Sequence, residues 1–221
     1  MRNDIYLHGI GNHHSTYYVP RLQDQLLMEI LDSGVLKTKK ELGVDICGFN
    51  GGDYISLCDY EKKDIYNNQE YYNSFYAYVL NSIALGFPKG QFEVIEPEVI
   101  ERLYGEGVRA NQYMKHFEIM RELGLSEEAR YTDLPDEVQH KGCLSLNYMD
   151  RITFPTETYL AYLMFRKPHK KIAKLEKEIR FIKDIIENYG YNVPLVDIDT
   201  MEELTEESAY DIGTRLLTKK K

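Results

Sequence analysis

Hydrophobic and polar residues follow one another in patterns that predict a mixed order of strands and helices. Short apolar runs predict strands at residues 5–10, 35–36, 54–58, 92–95, 137–140, 149–154 and 194–198. Apolar residues at helical spacing predict helices at residues 21–33, 71–85, 113–123 and 170–189. No regular βαβ alternation is present, so the order favours an α+β fold over a doubly wound sheet.

The helix at residues 170–189 has the clearest pattern. Its apolar positions form one stripe, and Gly190 stands where a helix commonly ends. The members of the stripe are Ile172, Leu175, Ile179, Ile182 and Ile186.

Length and composition are those of an ordinary globular chain. The 221 residues are 43% hydrophobic and 29% charged, which suits one domain with a sizeable core. An acidic stretch at residues 202–207 and three terminal lysines look peripheral. We therefore expect a single domain over residues 1–200 and a charged C-terminal appendage over residues 201–221.

The formal net charge of −9 argues against non-specific nucleic-acid binding as the main role, because such binding depends on clustered Lys and Arg. A local basic patch remains compatible with this charge. A basic run near the clearest helix is either a solvated face or a candidate for contact with a phosphate backbone. It contains Arg166, Lys167, Lys170, Lys171, Lys174 and Lys177.

Three cysteines without a C-x-x-C pair indicate a reduced compartment. The chain has no signal-peptide pattern at its start and no apolar stretch of membrane-spanning length. We expect a cytoplasmic protein without a membrane partner. Zinc motifs, a P-loop and a G-x-S-x-G nucleophile elbow are also absent, so no metal site is expected and neither nucleotide binding through a P-loop nor hydrolase chemistry of that type is supported.

Three separated segments place chemically useful residues on predicted strands. The first is Tyr6-Leu7-His8-Gly9, with a histidine before a glycine. In the second, the turn Asn50-Gly51-Gly52-Asp53 leads into Tyr54-Ile55-Ser56. The third is Glu137-Val138-Gln139, followed by the run at residues 144–152.

This succession resembles the ADP-ribosyltransferase superfamily, in the His-Tyr-Glu type shared by diphtheria-toxin-like and PARP-like enzymes. The resemblance covers residues 5–154 and implies a mixed, split β-sheet core with flanking helices. It implies NAD as co-substrate and Glu137, Tyr54 and His8 as catalytic residues. His8, Gly9, Tyr54 and Ser56 would bind the NAD.

The implied roles agree with the chemistry of NAD cleavage. Breaking the nicotinamide–ribose bond develops positive charge on the ribose, which the Glu137 carboxylate would stabilise. Tyr54 would stack on the nicotinamide, and His8 would orient the adenosine-side ribose. Gly9 would allow close approach of its backbone, because it lacks a side chain. Pro135, two residues before Glu137, disfavours arginine as the acceptor.

Each of these residues also has a purely structural interpretation. His8 could be a hydrogen-bonded strand histidine, Tyr54 one of 19 tyrosines in the core, and Glu137 a solvated edge charge. The leading hypothesis is transfer of ADP-ribose to a macromolecular acceptor (protein, DNA or RNA), as in a toxin or phage-defence effector. A toxin would bring an antitoxin as a further partner. The alternatives are an NAD glycohydrolase on the same fold and a non-catalytic interaction protein.

Overall fold

The computed structural model describes residues 4–10, 20–38, 40–43, 54–62, 79–95 and 137–219. These residues form an α+β fold with a mixed six-stranded sheet flanked by helices, as the predicted α+β class requires. The strands are β1 (Ile5–Ile10), β2 (Val35–Leu36), β3 (Tyr54–Asp59), β4 (Ile83–Pro88), β5 (Glu137–Lys141), β6 (Leu144–Ser145), β7 (Arg151–Phe154) and β8 (Leu195–Asp197). The α-helices are α1 (Pro20–Ser33), α2 (Thr156–Tyr162), α3 (Pro168–Asn188) and α4 (Glu206–Lys219).

The main sheet has the strand order β5-β3-β1-β4-β7-β8. All neighbouring pairs are antiparallel except β7 and β8, which are parallel. A parallel pair needs a long crossover, and α2 and α3 provide it between β7 and β8. Strands β2 and β6 form a separate two-stranded sheet.

The two faces of the main sheet have separate apolar cores. Side chains that alternate along each strand point to opposite faces. Tyr6, Leu57 and Ile152 lie on the face that carries the helices, and Leu7 and Cys58 lie on the other face. The helix-covered core is the larger one, and it takes residues from α1, α2, α3 and α4.

The predicted helices at residues 21–33 and 170–189 are confirmed as α1 and α3. Helix α1 ends at Gly34, whose φ of +68° is a conformation that glycine adopts without steric cost. In α3, four of the five predicted stripe residues are buried; Ile172 is partly exposed and Ile185 joins the buried set. None of the helices in the described part of the chain combines the length and apolar character that a bilayer crossing requires.

Two element predictions need correction. In the described part of the helix expected at residues 71–85, residues 79–80 are helical, but residues 83–85 belong to β4 in the middle of the sheet, where Ile83, Ala84, Leu85 and Phe87 are fully buried. A short apolar run fits a buried strand as well as a buried helix. The strand expected at residues 92–95 is reduced to one isolated bridge between Ile95 and Gln139. Residues 71–78 and the helix expected at residues 113–123 lie outside the described residues.

The C-terminal segment contributes to the core. Residues 201–219, expected to form a charged appendage, place Met201, Leu204, Ala209 and Ile212 in buried positions. Helix α4 packs against α3 through this apolar side, while its charged residues face outward. Because residues 202–207 are mostly acidic, the sequence alone did not indicate that buried apolar residues occur in this segment.

Gly86 in β4 makes room for a buried arginine. A Cβ atom at this position would lie 2.5 Å from Cγ of Arg151, the residue paired with Gly86 on β7. The Arg151 side chain is fixed there by two hydrogen bonds of 2.7 Å, which its Nε and Nη2 donate to the Asp150 carboxylate. The arginine therefore cannot move aside without disturbing these hydrogen bonds.

We expect Gly86→Ala to lower the free energy of unfolding by about 1–3 kcal/mol, the usual cost of inserting a methyl group into a packed site. Urea denaturation measures this change. Gly213→Ala in α4 is the control, because its Cβ would meet Ile172 and Leu175 at 3.4 Å and alanine favours the helix. Equal stability of wild type and Gly86→Ala would contradict the steric account.

Candidate functional site

The three strands that carry the predicted site residues are neighbours in the sheet. Strand β3, with Tyr54 and Ser56, lies between β5, which begins at Glu137, and β1, which contains His8 and Gly9. These segments are distant in the sequence, so their adjacency results from the sheet order. The structure thus brings the three motifs together at the level of the backbone.

A side-chain hydrogen bond joins two of these motifs, at His8 and Ser56. Nδ1 of His8 lies 2.9 Å from the Ser56 carbonyl oxygen. A carbonyl oxygen only accepts, so Nδ1 carries a hydrogen and donates it. In a neutral ring, Nε2 is then the acceptor nitrogen. The contact fixes the orientation of the imidazole between two strands.

This contact lies where the backbone ladder between β1 and β3 ends. The ladder consists of the pairs Tyr6–Asp59 and Leu7–Cys58. By contrast, β1 pairs with β4 along all six of its residues. The end of β1 that carries His8 and Gly9 is therefore joined to β4 by a full ladder and to β3 by the imidazole.

His8 and Tyr54 do not project from the same face of the sheet. His8 is paired with Leu85 of β4 and shares the helix-covered face with Tyr6 and Ile10. Tyr54 and Ser56 alternate with Ile55 and Leu57, which belong to the helix-covered core, so they project from the opposite face. His8 and Tyr54 therefore lie on opposite faces, and Tyr54 stands four residues along β3, about 13 Å, beyond the last β1–β3 pair Leu7–Cys58.

Glu137 and Tyr54 occupy opposite ends of the ladder between β3 and β5. Tyr54 is paired with Lys141, and Glu137 is paired with Cys58. Four residues of strand separate these pairs, which is about 13 Å. The glutamate backbone is thus closer to the β1–β3 ladder pair Leu7–Cys58 than to the tyrosine.

A buried group of two carboxyls and a phenol, which the sequence reasoning missed, joins α1, α2 and α3. Asp24 is only 7% exposed, and the Tyr159 hydroxyl donates to Oε2 of Glu178 at 3.3 Å. Burial, followed by the nearby charge of Glu178, raises the pKa of Asp24 from 3.8 to about 7. Burial also raises the pKa values of Glu178 and Tyr159.

Two oxygens of this group, Oδ1 of Asp24 and Oε1 of Glu178, are buried without a hydrogen-bond partner within the described structure. Protonation of a carboxyl removes the charge whose burial is unfavourable. The sequence signal was Asp24 itself, which stands three residues before Leu27 on the buried side of α1.

The described ranges give little support for a metal site or for a cysteine nucleophile. No three His, Cys, Asp or Glu side chains there come close enough to hold a metal ion. Cys143 donates to the Glu41 carboxylate, and burial together with that carboxylate raises the pKa of its thiol. A raised pKa disfavours the nucleophilic thiolate. His13 and His14 lie outside the described residues.

One cavity, of about 370 Å³, lies at the C-terminal end of α3. Lys183, Glu187, Tyr191 and Glu203 contribute to its wall, and none of the predicted site residues does. It is therefore separate from the His8–Ser56 contact. Comparison with known proteins adds no assignment: no protein family, no curated protein and no solved structure matches this chain.

Proposed function

We propose that this chain is an NAD-dependent ADP-ribosyltransferase that acts on a macromolecular acceptor, either protein or nucleic acid, and that its sheet is of the ADP-ribosyltransferase type. One observation carries the proposal: the strands with the His, Tyr and Glu motifs are adjacent in the order β5-β3-β1, and the His8 imidazole reaches the strand of Tyr54 and Ser56. A toxin or phage-defence effector is the biological role that suits such an activity.

In the proposed arrangement, NAD binds at the end of the sheet where the β1–β3 ladder stops. The ladder ends after Leu7–Cys58; His8 follows directly on β1, and Tyr54 lies about 13 Å further along β3 on the opposite face. An elongated substrate that crosses this end contacts both residues, although they project from opposite faces. Gly9 of β1 belongs to the same end and presents backbone without a side chain.

The proposed reaction is displacement at the anomeric carbon of the nicotinamide-side ribose. The glycosidic C–N bond breaks and nicotinamide leaves with the bonding electrons, while a lone pair of the acceptor forms the new bond to the same carbon. The acceptor's proton goes to Glu137 or to solvent. Glu137 stabilises the positive charge that the ribose develops, and Tyr54 stacks on the nicotinamide.

His8 has a positioning role in this proposal. Its Nδ1–H is committed to the Ser56 carbonyl, so the ring is held in one orientation. Held in this way, the ring orients the adenosine-side ribose of the bound NAD. Ser56 contributes through its backbone, because its carbonyl fixes the imidazole.

The experiment that tests the proposal is incubation of the pure protein with NAD labelled in the adenylate part. Denatured cell lysate, DNA and RNA serve as separate acceptors. Label that becomes attached to one of them supports the transferase. Release of free ADP-ribose in every mixture would instead identify an NAD glycohydrolase, and unchanged NAD in all of them would contradict enzymatic use of NAD.

A further inference from the structure

The turn between α2 and α3 exposes large apolar side chains in an unusual concentration. Phe165 is 96% exposed, and Met164 and Tyr162 are 64% and 57% exposed. The turn is nevertheless well anchored, because Leu163 is buried and the Arg166 amide donates to the Leu163 carbonyl at 2.9 Å. Phe165 is therefore held in solvent by a defined backbone. Single exposed apolar residues are common, but a fixed cluster indicates a contact surface.

Basic residues continue from this turn along one side of α3. Six Lys or Arg residues and one acidic residue lie within positions 166–177, a local net charge of +5 in a chain whose net charge is −9. Lys170, Lys174 and Lys177 are spaced so that they share one helix face, and all three are exposed. Phe181, 44% exposed, follows on that face at the next helical turn.

Among the residues that the structure describes, the lysines of this face form no ion pair, unlike the arginines nearby. Arg180 and Arg215 are paired with Glu206 and Glu202 at 2.8 and 3.5 Å. Within the described part of the chain, Lys170, Lys174 and Lys177 have no such carboxylate within ion-pair distance. Lys174 and Lys177 act on Glu178 from a longer distance and lower its pKa, but all three ammonium groups are exposed to an anionic partner.

We infer that this surface, from Phe165 through Lys170, Lys174 and Lys177 to Phe181, binds single-stranded nucleic acid. Phe165 lies in the turn before α3, and the lysines and Phe181 follow along about 16 Å of the helix. This order of ring, cations and ring matches a strand whose bases stack on aromatic side chains while its phosphates meet cations. An anionic bilayer would be better served by one continuous apolar patch with cations at its rim. Here the cations lie between the two phenylalanines.

The surface also lies toward the same end of the sheet as the proposed NAD site. Strands β1 and β7 run in the same direction, since both are antiparallel to β4, and α2 starts directly after β7. The end of β7 that leads into α2 is therefore the end of β1 that carries Gly9. A nucleic-acid strand held there would be a candidate acceptor, and only this last role rests on the proposed function.

Fluorescence anisotropy with a labelled single-stranded 12-mer, measured on the full chain without NAD, tests the inference. We expect Phe165→Ala and the double variant Lys170→Glu/Lys174→Glu each to weaken binding about tenfold or more. In the double variant, the affinity should also depend less on salt. The slope of the logarithm of the binding constant against the logarithm of the salt concentration should fall by about 0.7 for each phosphate that the protein no longer neutralises. The matched controls are Tyr210→Ala, an exposed aromatic of α4, and Lys37→Glu, an exposed lysine; both should bind as wild type does.

Several outcomes would overturn the inference. These are no binding at about 100 µM protein and low salt, an equal decrease in affinity in the controls, and equally tight binding of duplex DNA that is insensitive to Phe165→Ala. Binding to phosphatidylserine vesicles in place of the oligonucleotide, with the same variants affected, would show a membrane surface instead. Because the binding assay contains no NAD, a negative result in it does not contradict the proposed NAD activity. Equally, the absence of NAD turnover would not contradict binding of single-stranded nucleic acid.

Discussion

Replacing Glu137 by glutamine is expected to lower the rate of NAD consumption by about 10²–10³-fold. The carboxylate is the group proposed to stabilise the positive charge on the ribose, and a neutral amide of the same shape removes that charge. Removal of one preorganised electrostatic group from an active site typically has an effect of this size. The measurement is the initial rate of nicotinamide release at saturating NAD.

Glu93→Gln is the matched control for this variant. Glu93 is an exposed acid near the same edge of the sheet, and its backbone carbonyl accepts from Nδ1 of His140 on β5. The substitution changes the net charge equally and leaves that backbone hydrogen bond in place. Urea denaturation of both variants shows whether the fold is intact. A folded Glu137→Gln protein with the wild-type rate would rule out the assigned role.

Replacing Asp24 by asparagine is expected to make the protein more stable than wild type at pH 8. The raised pKa of Asp24 means that the folded protein binds a proton that the unfolded chain releases at lower pH. The stabilisation from this carboxyl is therefore complete below pH 3.8 and is lost as the pH rises through about 7. Above that pH, wild type keeps a buried charge next to Glu178.

The difference in the free energy of unfolding between wild type and Asp24→Asn should change over the same pH range. A pKa change from 3.8 to about 7 corresponds to at most about 4 kcal/mol between the two ends. Glu178 contributes with the same sign, opposed by Lys174 and Lys177, which lower its pKa. Free energies of unfolding at pH 4, 6 and 8 measure the effect. Asp32→Asn, an exposed acid on the same helix, is the control, and parallel pH curves for wild type and Asp24→Asn would contradict the account.

One helix with a clear apolar stripe and three strands bounded by turns were predictable from the chain. Helix α3 has an apolar stripe of helical period, and β1, β3 and β5 are short runs bounded by turns, so local pattern was sufficient. Strand β4 was not predicted, because it is buried on both faces and its apolar residues show no alternation that would distinguish a strand from a helix. Helix α4 was missed because the acidic residues before and at its start suggested an exposed segment, although Ala209, Ile212, Leu216 and Leu217 mark its inner side.

The strands of the candidate site could be predicted from the sequence, but the sheet faces from which their side chains project could not. The motifs identify β1, β3 and β5, and the structure makes these strands neighbours. Whether His8 and Tyr54 share a face depends on the register between β1, β3 and β4, which is set by long-range pairing. Likewise, the buried pair Asp24 and Glu178 depends on the packing of α1 against α3, which no local pattern encodes.

The most direct test of the central claim, that the β1–β3 end of the sheet binds NAD, is thermal unfolding at increasing NAD concentration. A ligand at 100 times its dissociation constant stabilises the folded state by about 2.7 kcal/mol, or about 5–10 °C for a chain of this length. We predict such a rise in Tm for wild type and for Tyr210→Ala, and a much smaller one for Tyr54→Ala. An unchanged Tm for wild type at about 10 mM NAD would contradict the claim.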